Sequence, residues 1–240
     1  MKRMNWLMAI LLPAVWGTTA AADDAETVQK AVRDKYKAIK SLRYKTQTKM
    51  EIDMQGYKNR SIGKGTFEMV RKDGKFLWRM ESTTRSEMEI GGKVTKTDST
   101  SLAITDGQYT WMYNKAGAQE SATKTKLENT AEPDPFESYR EHFKMSVLPD
   151  EKVDGHDCYV LQVVPKQPQG AGMGGKSVLS FRKDCGVMVR MVSSGPDGKP
   201  MSTFTNSDLE INTAIGADRF VFKAPNGVEV VETPQPPKQP

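Results

Sequence analysis

The chain has 240 residues, and its 35 lysines and arginines against 30 aspartates and glutamates give a formal net charge of +5. Basic and acidic residues are interleaved, which argues against the basic surface that binds nucleic acid. The two histidines and two cysteines form no metal-spaced or catalytic constellation with the acids. We therefore expect neither an enzyme nor a nucleic-acid-binding protein, and we expect no cofactor and no metal.

The first 22 residues have the three parts of a secretory signal peptide. Lys2 and Arg3 form the charged start, residues 7–15 the short apolar run, and Ala22 ends a small-residue cleavage site. The run is shorter than the roughly 18 residues of a membrane-spanning helix, and no cysteine lies at the cleavage site to carry a lipid. We expect residues 1–22 to be removed and the exported protein not to be membrane-anchored.

An amphipathic helix is predicted over residues 24–42. Apolar residues such as Val28 and Val32 recur at intervals of three and four, which places them on one stripe. Asp23 and Glu26 have capping-box-like spacing and suit the positive end of a helix dipole. Because such a stripe is stable only when it is covered, we expect this helix to lie on a sheet.

The segments that follow the helix alternate with the two-residue period of β-strands, at 44–54, 67–71, 76–80 and 109–113. One side of each segment is methionine or aromatic, which is typical of half-buried antiparallel strands. Turns at residues 72–74 and 106–107 predict that the strands form a meander.

The apolar sides of these strands are predicted to form one binding surface. It comprises Met50, Ile52, Met54, Phe67, Met69, Phe76, Trp78, Met80, Tyr109, Trp111 and Tyr113. Methionine repacks at small cost around variable apolar partners, so the surface suits a flexible acyl chain. The alternative is that the same residues fill a closed core.

Two further segments interrupt the strand pattern. Residues 81–100 are polar around a glycine pair and predict a protruding hairpin, which is either a partner-docking element or a solvated loop. Residues 135–145 predict a second helix, with Phe136, Tyr139 and Phe143 on one stripe. That stripe is either a lid over the binding surface or ordinary packing.

The C-terminal third returns to strands, which are predicted at 158–164, 178–181, 187–192, 202–205 and 220–222. If 156–164 and 177–185 pair around the glycine-rich loop, Cys158 lies opposite Cys185, and an oxidising compartment favours a disulfide between them. Two buried free thiols are the alternative. The Pro-rich tail at 233–240 is expected to be disordered.

The order of these signals resembles the family of the periplasmic lipoprotein carrier LolA. The resemblance rests on segments 65–71, 76–78, 106–114 and 220–230, and it extends over the whole exported chain. It implies one domain over 23–232 that is mainly β with helices: a strongly curved, unclosed antiparallel β-barrel with helices covering its concave apolar face. We expect it to act as a monomer.

The resemblance also implies a function and a role for one arginine. The family takes lipid-modified proteins from an inner-membrane ABC-type release complex and hands them to an outer-membrane acceptor, so the acyl chains of lipoproteins or lipids are the expected ligands. The family's functional arginine falls on Arg71, which would latch the helical lid; a side chain at a strand end could instead extend to water. Lys72 and the polar stretch at 81–100 depart from the family pattern. A lipid-sensing or regulatory module of the same fold is the alternative function.

Overall fold

The computed structural model describes residues 24–54, 56–127, 134–167 and 175–234. The predicted signal peptide and most of the predicted tail lie outside this range. Within it, twelve strands form one curved, unclosed sheet in the order β12-β6-β5-β4-β3-β2-β1-β11-β10-β9-β8-β7. Neighbouring strands are antiparallel except β12 and β6, which are parallel. This confirms the predicted fold class.

The elements have the following bounds. The helices are α1 (Ala25–Lys37) and α2 (Glu137–His142). The strands are β1 (Ser41–Met54), β2 (Tyr57–Lys72), β3 (Lys75–Ile90), β4 (Lys93–Thr105), β5 (Tyr109–Ala116), β6 (Gln119–Lys126), β7 (Phe143–Val153), β8 (His156–Pro165), β9 (Ser177–Arg182), β10 (Met188–Ser194), β11 (Pro200–Ile211) and β12 (Val230–Glu232). A short 3-10 helix covers Ala217–Phe220.

Helix α1 is shorter than predicted. Asp24 is the N-cap, and its side chain accepts a hydrogen bond of 2.7 Å from the Thr27 backbone N–H. The helix ends at Lys37. The backbone N–H of Lys40, which a longer helix would use for its own hydrogen bonding, donates instead to the Asn212 side chain at 2.7 Å, and β1 begins at the next residue. The prediction of helix as far as residue 42 is therefore wrong, and Leu42 is a buried residue of β1.

Helix α2 is also shorter than the predicted 135–145. It ends at His142, and Phe143 is the first residue of β7, where it pairs with Pro165 of β8. Pairing along a sheet edge has replaced the last predicted helical turn. Asp134 joins the two helices, since it accepts hydrogen bonds from Arg33 of α1 and Arg140 of α2.

The core lies between α1 and the sheet. One buried cluster combines α1 and the α2 segment with β8 and β9 and consists of Val28, Val32, Phe136, Leu161, Val163, Leu179 and Phe181. Gly186 lets the helix approach closely: it has a φ of +72°, and a Cβ there would lie 2.3 Å from the Val32 carbonyl oxygen. A second cluster continues along β1 and β2 with Ile39, Leu42, Met69, Cys185 and Val187.

The register of β8 and β9 corrects the predicted disulfide. Cys158 pairs with Arg182, the last residue of β9, and Cys185 lies three residues further on, outside the strand. Both cysteines are buried free thiols. Burial raises the pKa of both, to about 11 for Cys185, which suppresses the reactive thiolate. The pairing of β8 with β9 thus differs from the predicted one, which placed Cys185 directly opposite Cys158.

Candidate functional site

The concave face is the side of the sheet on which α1 packs, and the ladder register shows which residues share it. Directly opposite residues of antiparallel strands point to the same side. Starting under α1, the successive partners are Leu161, Leu179, Met191, Phe204 and Thr48. Even-numbered residues of β1 therefore face the concave side, as the sequence predicts for Met50, Ile52 and Met54.

Two rows of side chains cross this face next to the end of α1. The upper row consists of Tyr44, Phe67, Met80, Ala103 and Met112 on β1 to β5. The lower row consists of Leu42, Met69, Trp78, Thr105 and Thr110 on the same strands. Phe76 pairs with Arg71 and lies on the same side. The structure thus brings Phe67, Met69, Phe76, Trp78 and Met80 together as predicted.

The upper row is covered at one end and open at the other. Tyr44 and Phe67 stack with ring centroids 4.9 Å apart, and burial raises the pKa of Tyr44. Met69 in the lower row is fully buried, but Met80 is 37% exposed and Met112 45% exposed. An apolar surface therefore emerges from the core and continues uncovered toward β5.

Beyond these rows the concave face becomes polar and shallow. Thr46, Gly65, Ser82 and Ser101 form the next row, and the Ser82 and Ser101 hydroxyls lie 2.7 Å apart. Met50, Ile52 and Met54 lie further along β1, where Met54 is exposed. They share the predicted face but are separated from the two apolar rows by residues with small side chains.

Tyr109, Trp111 and Tyr113 lie on the opposite, convex face, which corrects their predicted place in the binding surface. Trp111 pairs with Ile104, and Ile104 pairs with Arg79, a neighbour of the concave Trp78 and Met80 along β3. Strand alternation cannot show which sides of two strands coincide, because a one-residue change of register exchanges the faces. These residues do not line the concave rows.

The convex face of β2 to β5 is covered by the chain that includes the 3-10 helix and runs up to β12, which we call the C-terminal strap (residues 216–229). Phe220 is buried, and Phe222 stacks on Trp111 with ring centroids 5.3 Å apart. The predicted strand at 220–222 is therefore wrong: the two rings pack on a sheet face instead of joining an edge. Trp111 is held in place because its Nε1 donates to Asp106 at 2.9 Å.

A buried carboxylate fixes the strap to the sheet. Glu68 of β2 is almost fully buried and accepts hydrogen bonds from Arg43 and Arg219, both at 2.8 Å. Arg79 donates to the backbone oxygen of Arg219 at 3.2 Å and pairs with Glu81. No single segment predicts this network, since only the register brings Arg43, Glu68 and Arg79 into one row.

Arg71 lies on the concave face at the end of α1. Its guanidinium donates to the Ile39 carbonyl oxygen, just beyond the helix, and its backbone N–H bonds the Lys40 carbonyl at 2.8 Å. The guanidinium carbon lies 5.0 Å from the centre of the Tyr36 ring and 5.6 Å from that of Phe76. The sequence allows two placements for this side chain, bonded to the helical cover or extended to water. The half-buried Arg71 adopts the first, against a carbonyl at the end of the helix.

The predicted lid residues lie at the other end of the concave face. Phe136 is buried against Phe181, with ring centroids 5.3 Å apart, and the rings of Tyr139 and Phe143 lie 5.6 Å apart. All three pack in the cluster of β8 and β9 and not in the cluster that contains Met69. The element that ends beside the apolar rows is α1.

The described residues also bear on metal binding and on membrane spans. Within these ranges no group of three or more His, Cys, Asp or Glu side chains is placed to hold a metal ion. The helices of the same ranges include none that is long and apolar enough to cross a membrane.

No family model and no curated protein sequence matches the chain. Among solved structures, an uncharacterized conserved protein from Thermus thermophilus aligns with a TM-score of 0.52 and 10% identity over 87% of this chain and 99% of that one. MucB aligns with a TM-score of 0.45 and 15% identity, over 86% of this chain and 65% of that one. A putative outer membrane lipoprotein-sorting protein domain from Vibrio parahaemolyticus aligns with a TM-score of 0.34 and 12% identity, over 80% of this chain and 94% of that one.

These likenesses concern the fold. The first shows a shared architecture along nearly its whole length, and at 10% identity it carries no statement about function. The TM-scores of the other two are too low to support an argument. The resemblance drawn from sequence segments therefore remains a resemblance.

Proposed function

We propose that the protein is a periplasmic carrier that binds the acyl chains of lipoproteins or related lipids on its concave face and moves them toward the outer membrane. The observation that carries this proposal is the upper row, which leaves the core at Tyr44 and Phe67 and ends in the exposed Met80 and Met112. Exposed apolar surface that continues a buried core is typical of a binding site. Methionine there allows chains of different shape to fit.

The proposal assigns α1 the role of the cover and Arg71 that of the latch. An acyl chain that follows the upper row inward reaches Phe67 and Tyr36, where α1 ends and Arg71 bonds the Ile39 carbonyl. Moving this end of the helix would extend the apolar surface to Met69 and Trp78. Delivery to an outer-membrane acceptor, after loading from an inner-membrane ABC-type complex, is what the LolA resemblance adds.

Acyl-chain binding is tested through Trp78, which lies on the concave face. In protein that starts at residue 23 and carries Trp111→Phe, Trp78 is the remaining tryptophan. A diacylglyceryl-cysteine lipopeptide with brominated chains should quench its fluorescence saturably. Met80→Asp and Met112→Asp should each weaken this binding about tenfold, because each places a carboxylate against the chain; tenfold corresponds to about 1.4 kcal/mol.

Ile62→Asp is the matched control. Ile62 is 52% exposed and lies on the convex side of β2, so its replacement should leave lipopeptide affinity unchanged. Equal affinities of the Met80→Asp and Ile62→Asp proteins would contradict the proposed site. Loaded protein is then mixed with acceptor vesicles: tight binding without any transfer would favour a lipid-sensing or regulatory module over a carrier.

A further inference from the structure

A groove of about 480 Å³ lies on the convex face, where the C-terminal strap crosses β2 to β5. Its apolar lining comes from Leu102 and Tyr113 of the sheet and from Phe222 and Pro225 of the strap. Its volume is within the range of small-ligand sites, which is roughly 300–1,000 Å³. Because the sheet separates the two faces, this groove is distinct from the concave rows.

The groove exists because the strap is anchored on both sides of it. Before the groove, Arg219 is bound by the buried Glu68, and Phe222 rests on Trp111. After it, β12 pairs with β6, where Val230 is opposite Ala122. Between these anchors the chain crosses the sheet without filling the space above Leu102. The site is therefore formed before any ligand arrives, which lowers the free-energy cost of binding.

Positive charge surrounds the apolar lining. Lys45, Lys64 and Lys223 line the groove together with a single acid, Glu81. Glu81 is already paired with Arg79, and Lys45 is paired with Asp208 at 2.8 Å. Across the described ranges Lys64 and Lys223 form no ion pair, so their ammonium groups are available to an anion.

We propose that this groove binds a single-chain anionic amphiphile, with the chain over Leu102, Phe222 and Pro225 and the anionic head between Lys64 and Lys223. The apolar lining recognises one part of such a molecule and the two lysines the other. A neutral chain would leave the lysines unused, and a cationic one would be repelled by them. The proposal does not depend on lipid binding at the concave face.

Dodecanoate below its micelle concentration is the probe, and Trp111 is the reporter because it stacks on Phe222. In protein that starts at residue 23 and carries Trp78→Phe, dodecanoate should change the Trp111 emission saturably. The double variant Lys64→Glu, Lys223→Glu should weaken this binding at least tenfold. Dodecyltrimethylammonium, which has the same chain and the opposite charge, should bind at least tenfold more weakly than dodecanoate.

Lys58→Glu is the matched control. Lys58 lies on the same face of β2, six residues before Lys64, and does not line the groove. The affinity of the Lys58→Glu protein for dodecanoate should equal that of the unsubstituted protein. An unchanged Trp111 emission, equal effects of the control and the double variant, or equal binding of the cationic amphiphile would each overturn the proposal. Association with phosphatidylglycerol vesicles without a response to dodecanoate would overturn it too. The Trp78 assay separates these outcomes from any failure of the concave site.

Discussion

The two halves of the sheet differ in how far their concave side is covered. In β8 and β9 the concave side is covered, because Leu161 and Leu179 are buried under α1 and Phe136. In β3 to β5 the concave side is open at Met80 and Met112, and the cover lies on the convex side, where Ile104 and Phe220 are buried. The concave side of a single curved sheet is thus closed at one end and open at the other.

This difference explains how a small domain keeps an apolar surface open. A sheet with one face exposed to solvent needs a packed layer on the other face. In the β3 to β5 half the C-terminal strap supplies that layer, and Glu68, which also pairs with Arg43 of β1, holds it through Arg219. The concave side there does not have to be closed for stability, so it is available for a ligand.

The largest effect is expected from a charge placed in the covered half. Val32→Asp should lower the free energy of unfolding by about 4 kcal/mol, because Val32 of α1 is buried in the cluster that this helix forms with β8 and β9, and an aspartate there has no partner. Met80→Asp, in the open half, should cost less than about 1 kcal/mol. Urea unfolding of both variants measures the contrast. Similar losses in the two variants would contradict the division into a covered and an open half.

The strap in the open half is tested at Glu68. Glu68→Gln removes the charge that faces two arginines, and we expect it to lower the free energy of unfolding by about 2 kcal/mol. The effect is smaller than for a fully buried ion pair because both arginines are partly exposed. Trp111 should also become more accessible to acrylamide. Glu51→Gln, which removes an exposed partner of Arg60, should stay within about 0.5 kcal/mol. If both variants unfold alike, the carboxylate does not hold the strap.

The junction between the halves is tested at Arg71, where the expected effect on stability is smallest. Arg71→Leu should lower the free energy of unfolding by about 1 kcal/mol, because the hydrogen bond to the Ile39 carbonyl is lost. Release of lipopeptide to acceptor vesicles should slow several-fold, because the closed, empty state is then less favoured. Arg71→Lys should be intermediate, since one ammonium cannot reproduce the planar fork. Lys72→Leu, at the neighbouring exposed position, is the control; release at its rate by Arg71→Leu would rule out the latch.

Much of the site could be predicted from single segments. The alternation of β2 and β3 placed Phe67, Met69, Trp78 and Met80 on one side, and the long hairpin joining those strands keeps them in step. The prediction for Tyr109, Trp111 and Tyr113 was wrong, because an additional strand, β4, lies between β3 and β5. The predicted disulfide was wrong for a similar reason. It depended on the register between β8 and β9, which the glycine-rich loop does not determine.

The sequence by itself determined the properties that repeat along one element. The stripe of α1, the two-residue alternation of the strands and the glycine turns, such as the pair Gly91 and Gly92 that closes β3 and β4, follow from local patterns. Only the tertiary structure decided which side of each strand faces α1, which carbonyl Arg71 binds, and that Phe222 covers Trp111. The reason is that alternation fixes the two sides of a strand relative to each other, whereas register and long-range packing decide which of them is inside.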